Sequence, residues 1–211
     1  MQSTPIWVGS DPRMGGRIRR KSGGGPRSID ELLGRPEAGR GGRTTVAFVL
    51  PSPQSPWAAA DHRLAGALDA WAEVDRYGPG AAPLSALAPA SSVRDGYDAV
   101  VLSAAGHQGH FAALRWLSQC CRGVARRVIV IGRERSLVPY YRSLGDEEFA
   151  AAWRAHYPAA PLSPTSERQA LMVRAVVEHC DWYVVAARAD AGRMALELPP
   201  ALAGRLVTLP D

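Results

Sequence analysis

Short, continuous apolar runs separate longer polar segments along most of the chain. They occupy residues 46–50, 100–102 and 128–131, and residues 182–188 up to the Arg188 that ends this run. None of them alternates between apolar and polar positions, as strands with one solvent-exposed face do, so each is expected to be buried on both faces. Runs of this length and composition predict the interior strands of a parallel sheet.

Residues 97–132 form the best-defined unit of this pattern. Between two apolar runs lie a glycine-containing loop and a segment in which Phe111, Leu114 and Leu117 recur at helical spacing. Gly123 follows at the position where a left-handed C-terminal cap is expected. The connection is long enough for a right-handed crossover between parallel strands. The unit therefore predicts a strand, a helix and a second, parallel strand.

Weaker patterns extend this unit in both directions. They predict a helix that has Ser55 as its N-cap and runs to about residue 73, and further helices over 146–157 and 163–180. They also predict edge strands over 74–77 and 206–209, and a hairpin in which 194–198 pairs back after a turn at 190–192. Together the patterns predict a three-layer α/β domain of the Rossmann-like or flavodoxin-like kind, with a mainly parallel sheet, over residues 44–211.

Residues 1–43 differ from the rest of the chain in charge and composition. The net charge is +5; of the 25 basic and 20 acidic side chains, this segment carries nine and four, which leaves sixteen of each sign for residues 44–211. A stretch so rich in glycine and arginine buries too little apolar surface to offset its ordering entropy. It is predicted to be a flexible basic arm, largely disordered unless bound. Its candidate nucleic-acid-binding residues are Arg13, Arg17, Arg19, Arg20, Lys21 and Arg27.

One short piece of the arm has the pattern of a helical turn. In residues 28–34, Ser28 stands at the N-cap, Glu31 at the capping-box position and Gly34 at the end. Such a turn inside a basic arm is either a segment that orders on a partner or a marginal helix in a solvated tail.

Cysteine usage and hydropathy bear on location. The chain has three cysteines, Cys120, Cys121 and Cys180, and an odd number with two adjacent does not make a disulfide framework. No apolar run approaches the roughly twenty residues of a membrane-spanning helix, and no signal-peptide core is recognisable. These features predict a cytoplasmic protein without membrane partners.

The loop at residues 104–110 is the strongest candidate for a ligand site. Ligands of open α/β sheets bind outside the carboxyl ends of the strands, and Gly106 and Gly109 would let backbone amides approach an anion at the following helix. The loop lacks the established dinucleotide and phosphate-loop fingerprints. His107 and His110 lie within it, and no carboxylate or cysteine nearby completes a metal-binding set, so no metal is predicted.

Two arginines follow the next predicted strand. Arg133 and Arg135 could hold a phosphate or a carboxylate, whereas Glu134 between them is equally consistent with a surface ion-pair cluster. No set of acid, base and nucleophile can be assembled from the sequence, so catalytic residues and any cofactor remain open.

Two functions from different classes follow. The first, which the charge segregation favours, is a non-enzymatic binding or assembly protein that contacts nucleic acid or a nucleoprotein complex through its arm and protein partners through its body. The second is a small enzyme or sensor that binds a nucleotide-like or phosphorylated ligand at the loop of residues 104–110.

Overall fold

The structure is a computed structural model that describes residues 29–33, 43–87, 96–120 and 123–208. The six candidate nucleic-acid-binding residues of the arm and Cys121 lie outside the described residues. The arm's state and the boundary between residues 1–43 and 44–211 therefore stay predictions.

Within the described residues, six strands form one sheet in which every neighbouring pair is parallel. The strands are β1 (Thr44–Val49), β2 (Ala72–Tyr77), β3 (Ala99–Ala104), β4 (Val128–Gly132), β5 (Trp182–Val185) and β6 (Leu206–Thr208). Their order across the sheet is β2-β1-β3-β4-β5-β6. The α/β class and the parallel sheet predicted from the apolar runs are confirmed.

Nine α-helices connect or precede these strands in the described part of the chain. They are α1 (Ile29–Leu33), α2 (Ala58–Leu68), α3 (Phe111–Cys120), α4 (Val138–Arg142), α5 (Asp146–His156), α6 (Pro164–Gln169), α7 (Arg174–Glu178), α8 (Arg188–Glu197) and α9 (Pro200–Ala203). Single 3₁₀ turns lie at Leu84–Ala86 and Gln108–His110.

The helices pack on both faces of the sheet because the chain winds in two directions from β1. After β1 the chain passes through α2 to β2 on one side, then crosses back to β3 and continues through β4, β5 and β6 on the other. Right-handed crossovers in opposite directions place their helices on opposite faces. Accordingly Leu68 of α2 packs with Phe48 on one face, and Leu117 of α3 packs with Val49 on the other.

The sheet interior has the burial that the apolar runs predict. Val101 and Val130 have no exposed surface and Val184 has 6%. The inner stripe of α3 is also confirmed at Leu114 and Leu117, both buried. Gly123 adopts φ of 81°, the left-handed conformation expected at its position.

The predicted hairpin over residues 194–198 is wrong. Residues 188–197 form the helix α8, which includes the predicted turn at 190–192, and the position beside β5 is taken by β6 in parallel pairing. Met194 is buried whereas Leu196, two residues later, is 88% exposed. An alternation of apolar residues over so few positions fits one face of a helix as well as a strand.

Two predicted helices end earlier than their patterns suggest. The helix after residue 55 ends at Leu68, and β2 begins at Ala72 rather than at residue 74. The helix predicted over 163–180 is divided into α6 and α7 at Met172, whose φ is 53°. The hydroxyl of Tyr157 accepts hydrogen bonds from the amides of Leu171 and Met172, at 3.0 and 3.2 Å, and so satisfies backbone groups that a continuous helix would have paired.

The short helix α1 packs on the body of the protein. Leu32 and Leu33 are 1% and 2% exposed and join the apolar cluster that contains Phe48 and Val101. Arg127, just before β4, donates a hydrogen bond to the carbonyl of Leu32 at 3.3 Å. Residues 29–33 of the predicted turn are therefore helical and pack on their own chain, whereas its predicted cap Ser28 and its end at Gly34 lie outside the described residues.

Replacing Leu32 and Leu33 by alanine tests this packing. Each truncation removes buried methyl groups and leaves a cavity, so we expect a loss of about 2–5 kcal/mol per site in the free energy of unfolding. Urea unfolding followed by circular dichroism measures it. The matched control is Leu196→Ala, at an exposed position, which should change stability by no more than about 0.5 kcal/mol. Equal stability of all variants would show that α1 does not belong to the folded body.

Candidate ligand-binding site

The loops that follow β1 and β3 contact each other directly. The amide of Ser52, after β1, donates to the carbonyl of Gly109, after β3, at 2.9 Å. A Cβ atom at Gly109 would lie 3.1 Å from the Cβ of Ser55 and 3.3 Å from that of Ser52. Glycine is therefore the residue that fits this approach without moving its neighbours. We call this contact the β1–β3 junction, comprising residues 51–56 and 105–110.

A buried carboxylate lies beneath the junction. Asp61 of α2 has no exposed surface, and its Oδ1 accepts from the hydroxyl of Ser103 at 2.6 Å and from Nε of Arg133 at 3.1 Å. Nη2 of Arg133 makes a further close ion pair with the same oxygen. The other oxygen, Oδ2, is buried and has no hydrogen-bond partner among the residues that the structure describes. The Asp61 carboxylate thus connects α2 to the ends of β3 and β4, and its Oδ2 can still accept a hydrogen bond.

His110 joins the two halves of the junction. Its Nε2 lies 2.8 Å from the hydroxyl of Ser55, and its Nδ1 lies 3.2 Å from the carbonyl of Ser103. The side chain is fully buried, and this burial lowers the pKa of His110 below the ordinary histidine value of 6.5, although the Ser103 carbonyl and the charges of Asp61 and Glu134 act in the opposite direction. His110 is therefore neutral at pH 7.

The loop amides that were predicted to face an anion have partners in the protein. The Gly106 amide donates to the carboxylate of Glu134 at 2.8 Å, and the Gly109 amide donates to Nδ1 of His107 at 3.1 Å. A Cβ atom at Gly106 would lie 2.9 Å from the carbonyl oxygen of Ser136, so the loop passes too close to the β4 loop for a larger residue. An acidic side chain of the protein occupies the position proposed for a ligand's charge.

Five of the six candidate residues of the body meet at this edge of the sheet. Gly106, His107, Gly109 and His110 form the β3 side of the junction, and Arg133 reaches it from the end of β4. Arg135 does not belong to the group, because it pairs with Asp190 of α8 at 2.8 Å and its side chain is 55% exposed.

Sequence reasoning missed three polar residues of the site, Ser55, Asp61 and Ser103. Ser55 was expected to cap a helix, but α2 begins three residues later with Trp57 at its N-cap. The signal for Asp61 was present in the sequence, since it lies four and seven residues before the buried Ala65 and Leu68 and so on the apolar face of α2. A lone acid in an apolar stripe indicates a buried partner.

The two histidines do not share a ligand. His107 turns toward the Gly109 amide, and His110 toward Ser55 and Ser103. Nowhere in the described ranges do three or more potential ligands group in a way that could hold a metal ion. None of the described helices has the length and hydropathy needed to cross a membrane.

Comparison with protein-family models, curated proteins and solved structures finds no match to this chain.

Replacing Arg133 by methionine tests the role of the ion pair. The change leaves the Asp61 carboxylate buried without its charge partner, so we expect a loss of about 3–5 kcal/mol in unfolding free energy. Arg135→Met is the matched control, because its exposed pair with Asp190 should be worth about 0–1 kcal/mol. Urea titration at pH 7 measures both.

Adding Asp61→Asn to Arg133→Met removes the unpaired charge and should recover part of the loss. If Arg133→Met costs no more than Arg135→Met, the buried pair does not hold these elements together.

Proposed function

We propose that the body of this protein binds a small, phosphorylated, nucleotide-like ligand at the β1–β3 junction. The observation that supports this most is the strand order. From β1 the chain runs first to β2 on one side of β1 and then to β3 on its other side, so the strand order reverses between β1 and β3. The carboxyl ends of these two strands form the point of reversal. Open α/β sheets bind their ligands in the crevice outside that point. Five of the strands follow the order 2-1-3-4-5 of flavodoxin-like domains, which supports the Rossmann-like or flavodoxin-like assignment.

Polar groups at the junction supply hydrogen bonds for such a ligand. Arg133 uses Nε and Nη2 on Asp61, while its Nη1 makes no hydrogen bond to the described residues and its side chain is 20% exposed. A planar guanidinium whose other edge is already held is well oriented to receive a phosphate or a carbonyl oxygen.

Glu134 stands where the ligand's anion would bind. Its carboxylate accepts from the Gly106 amide, which is the type of donor that phosphate uses at glycine-containing loops. The site around it holds two carboxylates, Asp61 and Glu134, against the single charge of Arg133. We infer that a phosphate displaces Glu134 from this amide, and that Glu134 weakens the binding of anions in the ligand-free protein.

Ligand-dependent melting of the full chain tests this proposal. A ligand that binds only the folded state stabilises it by about 2.7 kcal/mol at a hundredfold excess over its dissociation constant. We expect adenosine triphosphate or another nucleotide to raise the melting temperature of the wild type. Glu134→Gln should bind it several-fold more tightly, because it removes the competing charge.

The matched control is Glu147→Gln, an exposed glutamate on α5. It removes the same charge at a distance from the junction and should leave the affinity unchanged. If no nucleotide or phosphosugar shifts the melting temperature of either wild type or Glu134→Gln, the loop is a connector and the proposal is wrong.

The charge segregation supports a second function in the same chain. All of the excess positive charge lies in residues 1–43, whereas residues 44–211 carry equal numbers of each sign. A flexible basic segment of this kind binds nucleic acid by neutralising phosphates and releasing counterions. As a second proposal, the arm contacts nucleic acid or a nucleoprotein complex, the body contacts protein partners and the protein works in the cytoplasm.

Neutralising the arm tests this second function. Because Leu32 and Leu33 are buried, the test replaces Arg13, Arg17, Arg19, Arg20, Lys21 and Arg27 by glutamine instead of deleting the arm. We expect the affinity for duplex or single-stranded nucleic acid to fall and the slope of its logarithm against the logarithm of salt to flatten. The control neutralises three exposed arginines of the body, Arg63, Arg154 and Arg168. Undiminished binding by the arm variant would contradict the proposal.

A further inference from the structure

Ser55 and His110 form a hydroxyl–imidazole pair at the β1–β3 junction. The hydroxyl of Ser55 lies 2.8 Å from Nε2 of His110, and the backbone amide of Trp57 donates to the same hydroxyl oxygen at 3.2 Å. His110 has no exposed surface and Ser55 has 6%. The pair therefore lies where the ligand is proposed to bind, with the ring shielded and the serine closer to solvent.

The partners of His110 settle which nitrogen carries the proton. Nδ1 lies 3.2 Å from the carbonyl oxygen of Ser103, and a carbonyl only accepts, so Nδ1 carries the hydrogen. In the neutral ring Nε2 then has a lone pair, and the hydroxyl of Ser55 must donate to it. The backbone of β3 thus holds the ring in the tautomer that accepts the serine proton.

This arrangement is that of a nucleophile and its general base. A serine hydroxyl becomes nucleophilic when an adjacent imidazole accepts its proton and a third group orients that imidazole. We propose that Ser55 is an acyl-accepting nucleophile and His110 its general base, and that the junction hydrolyses an activated ester. The proposal goes beyond the ligand-binding function, because it does not require the ligand to be phosphorylated.

The reaction proceeds in two balanced steps. Ser55 Oγ forms a bond to the ester carbonyl carbon while its proton moves to His110 Nε2, and the alcohol leaves with that proton as its bond to carbon breaks. Water then adds to the same carbon of the acyl-serine, giving its proton to His110. As the acid departs, His110 returns a proton to Ser55. The Ser103 carbonyl keeps the ring oriented throughout.

Labelling of the full-length wild type tests the nucleophile. Because the pair has little exposed surface, the probes are small: phenylmethanesulfonyl fluoride, which leaves a sulfonyl group on serine, and p-nitrophenyl acetate, whose phenolate release is followed by absorbance. We expect the sulfonyl adduct at Ser55 by peptide mass mapping. Ser55→Ala should lose both the adduct and the catalysed release of phenolate.

The role of His110 as general base is tested by substitution and by the pH dependence of the rate. His110→Gln should slow both reactions about 10²–10⁴-fold. In the wild type the rate should rise with pH as His110 loses its proton, and then level off, with a midpoint below 6.5. Burial lowers the pKa of His110 and the charge of His107 acts in the same direction, whereas the Ser103 carbonyl and the charges of Asp61 and Glu134 raise it. Ser143→Ala, at an exposed serine after α4, is the matched control and should react as the wild type does.

Mapping on the wild type decides the matter even if a variant fails to fold. An adduct on other serines only, no adduct at all, or a rate that rises tenfold per pH unit across pH 7–9 without levelling would each overturn the proposal. In those cases the hydrogen bond between Ser55 and His110 only ties the two loops together.

Discussion

The buried carboxylate of Asp61 is the constraint on which the carboxyl edge of the sheet depends. A charge without solvent contact is costly unless it is paired and hydrogen-bonded, and Asp61 meets this requirement by binding Ser103 and Arg133. Its partners come from two neighbouring strand ends, while Asp61 itself comes from the helix after a third strand. Satisfying this one group therefore sets the relative positions of α2, β3 and β4.

The topology explains why this edge of the sheet gathers polar groups. Because crossovers are right-handed, the chain's reversal at β1 sends α2 to one face and α3 to the other, and the β1 and β3 loops lie next to each other at the edge of the sheet. The two loops contact each other through Ser52 with Gly109 and through Ser55 with His110. Burial at the junction keeps His110 neutral, and the reversal of strand order supports a ligand site in the same place. The point of strand-order reversal, the buried neutral His110 and the proposed ligand site therefore lie in the same place.

Much of the fold followed from the sequence, because burial on both faces leaves a simple pattern. Continuous apolar runs around Val101 and Val130 identified interior parallel strands, and the glycines and histidines of the β3 loop marked the edge at which we propose the site. Short amphipathic segments were ambiguous. Met194 and its neighbours fitted a strand as well as a helix, and only the parallel pairing of β6 with β5 decides between them.

The polar partners of the site could not be assigned from the sequence for a different reason. Asp61 and Arg133 are 72 residues apart, and Ser55 and His110 are 55 apart, so only the strand order brings them together. Glu134 looked like a member of a surface cluster, yet it binds the Gly106 amide. Long-range pairing of this kind depends on topology, which local patterns do not contain.

The β1–β3 junction is the surface at which we propose that this protein binds its ligand. Amide chemical shifts of the ¹⁵N-labelled full chain, recorded during titration with a nucleotide, show whether it does. We predict saturable shifts at Ser52, Gly106 and Gly109, and none at Leu196 on the exposed face of α8. Shifts confined to other parts of the chain, or no shifts at any concentration, would contradict the claim.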